Sequence, residues 1–211
     1  VRTGPTVSNL ASDLSNMSFD VGEIDGSVTE RVERVAEVLR MVCPTNISTN
    51  LVGVRWTKLS INAGPGAVCA ALGCNFGDYL DNDKALGCGS YIVNETIHVA
   101  DASGIKLEPL QGIDPRIFGF RTRDELLKRY LTWRKILSPH RPGKSSMLLD
   151  LEKGRKTEID VLNEVVSRRG RDAGVPTPVN NKVIEIIKDI EAGMRRPVFQ
   201  NLDDIVLPIL P

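Results

Sequence analysis

Ser146, Asp150, Glu158 and Asp160 fall within one short run, KSSMLLDLEKGRKTEID, residues 144–160. A hydroxyl and three carboxylates gather there around a break at Gly154-Arg155. Ser145 or Ser146 can cap a short helix running to about Lys153, which Gly154 then stops. Thr157 can cap a following helix, with Asp160 in the capping-box position and Glu158 in the first turn, where the dipole favours an anion. Capping alone accounts for these residue types. The break also brings two helix N-termini to one place, and helix N-termini bind anions such as a substrate carboxylate.

A second constellation is WTKLSINAGPG, residues 56–66. Lys58 and Asn62 are four apart and share a helix face. Trp56, Leu59, Ile61 and Ala63 mark that helix as largely buried, and burying an ammonium is costly. A lysine there either snorkels to solvent or has its pKa lowered by burial, so that it delivers a proton near neutral pH.

Other chemistries are excluded or left without support. Gly64-Pro65-Gly66 follows a helix rather than a strand and lacks the third glycine of a dinucleotide fingerprint, and the chain has no Walker-type loop. Cys43, Cys69, Cys74 and Cys88 show no metal spacing, and His98 and His140 are far apart, so no metal site is expected. The cysteines read as buried thiols in a reducing compartment, which points to the cytoplasm. Lys+Arg and Asp+Glu are equal at 27 each, so nothing draws the chain to nucleic acid, and no apolar run reaches the ~18 residues of a membrane span. Asn-x-Ser/Thr triplets at Asn16, Asn46 and Asn94 are expected to be chance, because no secretory signal precedes them.

The elements that must position these residues are mostly helical. Residues 1–25 read as strand and turn. A helix capped by Ser27 and Glu30 should place Val28, Val32, Val35, Leu39 and Val42 inward and end at Pro44. Residues 50–74 predict a buried helix bent or broken at Gly64-Pro65-Gly66, and residues 85–104 a second helix stopped by Gly104. Residues 105–122 are loop-like, 123–137 form an amphipathic helix, and further helices run to about Asp172 and across residues 181–194. The proline-bounded apolar tail 197–211 is expected to pack on a neighbour or a partner chain.

WTKLSINA, ETIHVADASGI, SSMLLDLEKGRKTEIDVLN and GVPTPVN together resemble the C-terminal half of ketopantoate reductases, from about Gly22 to about Ile187. The spacing S-S-M-x-x-D-x-x-x-G-R-x-T-E-I-D is the most specific part. The resemblance implies the helical C-terminal domain of the 6-phosphogluconate dehydrogenase superfamily (residues 27–196), preceded by the β remnant of a Rossmann domain (1–26) and followed by the tail (197–211). It implies reduction of 2-dehydropantoate by NADPH, a step of pantothenate and coenzyme A biosynthesis. Lys58 would be the general acid, and Glu158 would bond the substrate hydroxyl and orient the lysine. Asn62 and Ser146 would bind substrate, Ser146 through its carboxylate, and Asp150 matches a further polar position of the motif.

Two features depart from the family. Many members carry an asparagine eight residues after the lysine, where this chain has Gly66. The Rossmann fingerprint is absent, so this chain alone is expected to bind NADPH poorly and turn over little, and its cofactor-binding residues are unknown. The alternatives are a reductase of a different 2-keto acid, or a non-catalytic helical module that dimerises or binds a carboxylate. A homodimer through these helices and the tail is allowed, though nothing in the sequence fixes it.

Overall fold

The computed structural model describes the backbone of residues 2–3 and 6–7, and residues 18–110 and 112–211 in full. The remainder of the expected β segment, with the triplet at Asn16, lies outside the described residues. Two short strands, β1 (Arg2–Thr3) and β2 (Thr6–Val7), pair antiparallel. The fold is mainly helical, as its periodicity predicts, and divides into two units. One draws on Val1–Lys58 and Ile105–Asp114, the other on Leu59–Gly104 and Pro115–Pro211.

The first unit is built on a β-α-β crossover. Strand β3 (Phe19–Val21) pairs parallel with β4 (Thr45–Ile47), and α1 (Glu30–Arg40) connects them. Thr29, not Ser27, caps α1: its hydroxyl accepts from Val32 N, and Ser27 instead donates to the Asp25 carboxylate two residues back. Val32 and Ala36 are buried, whereas Val28, Val35 and Val42 are exposed. The inward stripe is narrower than expected because two strands cover only one row of helix side chains. The helix also stops at Arg40, before Pro44. Helix α2 (Leu51–Ile61) follows. Asn50 accepts from Gly53 N and donates to Lys106 O (2.9 Å) and to the Glu108 carboxylate (2.8 Å), and Thr57 Oγ1 donates to Glu108 O at 2.6 Å. These bonds pin residues 106–108 along α2.

The division between the units falls inside α2, after Lys58. A π-helical turn, Asn62–Gly66, joins α2 to α3 (Ala67–Leu72), which is the expected bend at Gly64-Pro65-Gly66. Helix α4 (Phe76–Asp81) and the long α5 (Asp83–Ala102) come next, and Gly104 (φ 69°) ends the latter. Helix α5 is buried over most of its length, the pattern of a central core helix. Helices α6 (Arg123–Leu137), α8 (Asn163–Ala173) and α9 (Pro178–Glu191) pack on it, and α7 (Ser146–Glu152) packs on α3. Phe118 stacks on the fully buried Trp133 of α6, with centroids 4.1 Å apart.

Polar links tie these helices together. Glu95 of α5 accepts from Val179 N and Asn180 N, each at 3.0 Å, and so caps α9 from another helix. That cap starts α9 at Pro178, three residues before the helix expected from the sequence. Asn163 donates to Ala63 O (3.0 Å) and to Asn180 Oδ1 (2.8 Å), and Asn180 returns a bond to Asn163 O. The tail folds back on its own unit. Asn201 donates to Ala71 O, Leu202 and Ile205 are buried, and Tyr91 Oη donates to Pro208 O. Asn94 is buried and accepts from Phe120 N, which leaves its triplet unavailable to glycosylation. The four cysteines are free and buried, and burial pushes the Cys88 thiol up to about 12.

Burial pushes the Glu95 carboxyl up to about 7, outweighing the lowering pull of its two backbone N–H bonds. An unfolded-chain glutamate ionises near 4.5, so between pH 4.5 and 7 the folded protein holds more protons than the unfolded chain. Stability contributed by Glu95 is therefore complete below pH 4.5 and lost as pH rises towards 7. At about 1.4 kcal/mol per pH unit the loss approaches roughly 3 kcal/mol. Urea denaturation of the native protein and of Glu95→Gln should show the native protein losing stability relative to the variant as pH rises through this range, whereas a constant difference would refute the protonated cap.

Candidate functional site

Helix α7 sets the polar wall of the site. The buried Ser145 is its N-cap, with a hydroxyl that accepts from Leu148 N at 3.2 Å. Ser146, at the first helical position, is exposed, and its Oγ lies 3.3 Å from Glu158 Oε2. Gly154 adopts φ 64°, a left-handed turn that lets Arg155 N bond back to Asp150 O at 2.9 Å. The chain is then fixed on both sides of Glu158. Thr157 donates through N (2.6 Å) and Oγ1 (2.8 Å) to the Glu191 carboxylate of α9, and Ile159 is fully buried. The Glu158 side chain is left exposed between these anchors, aimed at Ser146.

The expectation that Thr157 caps a helix is corrected here. Its hydroxyl accepts from Ile159 N only two residues on, residues 159–162 form a turn, and α8 begins at Asn163. The break brings a hydroxyl to a carboxylate, not two helix N-termini to one point. Asp160 is also placed elsewhere, paired with Lys188 at 3.1 Å.

Ser146 and Glu158 line a pocket of about 250 Å³, a little below the ~300 Å³ at which drug-sized ligand sites begin, hence a volume for a small metabolite. Its other polar groups are Asn62, Lys144 and Ser145, and Gly66 completes that side. The rest of the lining is apolar: Ile61, Pro65, Phe76, Leu137, Met147 and Leu162. Lys144 was not singled out from the sequence. Its ammonium pairs with Glu152 at 2.6 Å, at the edge of the pocket. The signal was its place directly before the two serines, where a cation would balance a bound anion.

Two of the candidate residues are not in the lining of this pocket. Asp150 does not line the pocket; its backbone carbonyl closes the end of α7. Lys58 belongs to the first unit and is exposed. Helix α2 turns Trp56, Thr57 and Ser60 inward and Lys58 outward, so the burial expected of Lys58 is not provided by these residues. Among the described residues no group of three metal-ligating side chains occurs, and no helix is long and apolar enough to cross a membrane.

Residues 50–191 match the family model described as "Ketopantoate reductase PanE/ApbA C terminal". The chain belongs to this family. The 2-dehydropantoate 2-reductase of Archaeoglobus fulgidus is 25% identical over 175 residues, which are 82% of this chain and 53% of that protein. A crystal structure of 2-dehydropantoate 2-reductase from Methylococcus capsulatus superimposes with a TM-score of 0.66 at 25% identity, covering 85% of this chain and 56% of the other. The fold is shared with a D-mandelate dehydrogenase solved with NADH and anilino(oxo)acetate, at a TM-score of 0.64 and 21% identity, over 84% and 53% of the two chains. This ketopantoate reductase family chain spans about half the length of the relatives it matches.

The turn after β3 is not a cradle for a dinucleotide. The loop between β3 and α1 carries Glu23 and Asp25, and Glu23 is already bonded to Thr29 and Arg31, so a pyrophosphate there would meet carboxylates.

The two serines should separate under mutation. Ser145→Ala removes a buried N-cap and should cost about 1 kcal/mol of stability. Ser146→Ala alters an exposed side chain and should stay within about 0.5 kcal/mol. Urea melts of both variants check this, and equal losses would mean the two hydroxyls share a structural role.

Proposed function

We propose that this chain is the substrate-binding and proton-donating part of an NADPH-dependent 2-keto-acid reductase, the cofactor being held by a part of the enzyme that this chain does not include. The observation that carries the reading is the Ser146–Glu158 pair beside Asn62 and Lys144 at one small pocket, in a chain of the ketopantoate reductase family. 2-Dehydropantoate is the reference substrate, because the relatives are named for it.

A 2-keto acid presents a carboxylate next to a carbonyl. Ser146 Oγ and the Lys144 ammonium supply a hydrogen bond and a positive charge for the carboxylate. Asn62 can donate its amide N–H to the carbonyl oxygen, and Glu158 can accept from the hydroxyl formed there. NADPH, held by the part of the enzyme outside this chain, would supply hydride to the carbonyl carbon. The carbonyl oxygen gains negative charge in that step, and Lys58 is assigned to give it a proton from Nζ, leaving a neutral amine that solvent reprotonates. Glu158 serves as the acceptor that orients the new hydroxyl. Asp150 keeps a supporting role at the end of α7, away from the substrate.

The test is turnover of the native gene product with NADPH and 2-dehydropantoate. Lys58→Ala should lower kcat by about 10²–10⁴-fold, the usual contribution of general acid catalysis, with a much smaller change in KM. An unchanged kcat would leave the chain a carboxylate-binding module.

A further inference from the structure

Glu158 reaches the pocket from an exposed position, and its side-chain bond from Ser146 Oγ is long, at 3.3 Å. Its aim is therefore set by the backbone that carries it. Three hydrogen bonds bracket that backbone. Thr157 N (2.6 Å) and Thr157 Oγ1 (2.8 Å) both donate to Glu191 Oε1, and Thr157 Oγ1 accepts from Ile159 N at 3.2 Å. Glu158 O accepts from Val161 N (3.1 Å) and Leu162 N (3.0 Å), which fixes the turn that leaves Glu158 but not the chain that enters it. After the bond from Arg155 N to Asp150 O, the entering chain is anchored by the Glu191 carboxylate.

Glu191 is an odd residue for its own helix. It is the last residue of α9, where the helix dipole disfavours a negative charge. It is half-buried, and among the described residues its carboxylate is used on Thr157 alone. Lys188, one turn earlier in α9, pairs instead with Asp160 and Glu164. Neither helix stability nor an ion pair accounts for Glu191, and its hold on Thr157 does.

The chemistry of Glu158 shows what that hold is for. A carboxylate only accepts, so it gives nothing to a keto oxygen and gains a partner when that oxygen has become a hydroxyl. We infer that Glu191 is a positioning residue: through Thr157 it holds Glu158 where it accepts from the 2-hydroxyl of the product, and so sets the affinity for the 2-hydroxy acid relative to the 2-keto acid. This rests on the proposed 2-keto-acid site. Glu191 itself is not in the pocket lining.

The experiment is calorimetric titration of the native gene product with pantoate and with 2-dehydropantoate, without cofactor so that neither reacts. Glu191→Ala should weaken pantoate about tenfold, the size of one hydrogen bond to a charged group, and leave 2-dehydropantoate within about twofold. Glu191→Gln keeps a carbonyl oxygen for Thr157 and should keep the native ratio of the two affinities. Glu158→Ala should lower that ratio by itself, and adding Glu191→Ala to it should lower it no further. A general loosening of the fold would instead lower Tm and weaken both acids together. Should Glu191→Ala not fold, Thr157→Val, which removes only the hydroxyl, is read in the same way. A native ratio in the folded variant overturns the inference and leaves the 2-keto-acid reading intact, as does a native ratio in Glu158→Ala or a further fall in the double variant. Binding of neither acid by the native protein overturns both.

Discussion

The backbone of Gly64 lies where no side chain fits, with Gly89 O and Val93 of α5 both within 2.7 Å of the missing Cβ. This close approach sets the path of the chain entering the second unit. Pro65 then removes a backbone donor from the next position, and the helix widens into a π turn instead of breaking. The loosened ladder exposes Ala63 O, which Asn163 takes. Asn163 in turn bonds Asn180 in α9, and Asn180 N bonds Glu95 in α5. One tight helix crossing is thus locked by side-chain amides from two other helices, α8 and α9, and by the Glu95 carboxylate of α5 itself. Such buried networks are costly to leave incomplete, which gives the crossing one arrangement rather than several. Asn62 and Gly66 sit at the two ends of this turn, so their position at the pocket follows from the packing behind them.

The polar wall opposite depends on the same logic of satisfied backbone. Ser145 is consumed as a cap, and this frees Ser146 to face outward. Thr157 is held by Glu191 and Ile159 is sunk in the core, so the residue between them must project. The functional candidates are the residues that the fold does not use, each flanked by neighbours that it does. A single-residue slip at either place would exchange a binding group for a structural one.

Features decided by near neighbours were legible in the sequence. The cap at Ser145, the stop at Gly154, the bend at Gly64-Pro65-Gly66 and the helix over 123–137 all depend on residues a few positions apart. The start of α9 was misplaced because its cap, Glu95, is more than eighty positions away. The start of α8 was misplaced because Glu191 holds Thr157 in another conformation. Ser27 failed as a cap for the opposite reason: a closer acceptor, Asp25, took its hydroxyl. At the site, Ser146, Glu158 and Asn62 were legible as residues. Lys144 was not, because a lysine in a turn is ordinary until a pocket forms beside it. The burial inferred for Lys58 came from the apolar composition of α2, but composition does not say which side faces out.

On the proposed reading, the charges at the pocket also fix which way round a 2-keto acid binds. Lys144 and Glu158 are both in the lining, one cationic and one anionic. Two carboxylates at about 4 Å repel by roughly 4 kcal/mol at the effective dielectric of a protein surface. A substrate carboxylate placed against Glu158 would meet that repulsion. Placed near Lys144 it meets attraction, in competition with Glu152. The Ser146 hydroxyl proton can turn from Glu158 to the incoming carboxylate. The carbonyl oxygen is then left to the Asn62 amide, which can donate to it, while Glu158 can accept only from the hydroxyl formed there. Orientation therefore follows from opposite charges at two edges of one small pocket, with no further contact needed to select it.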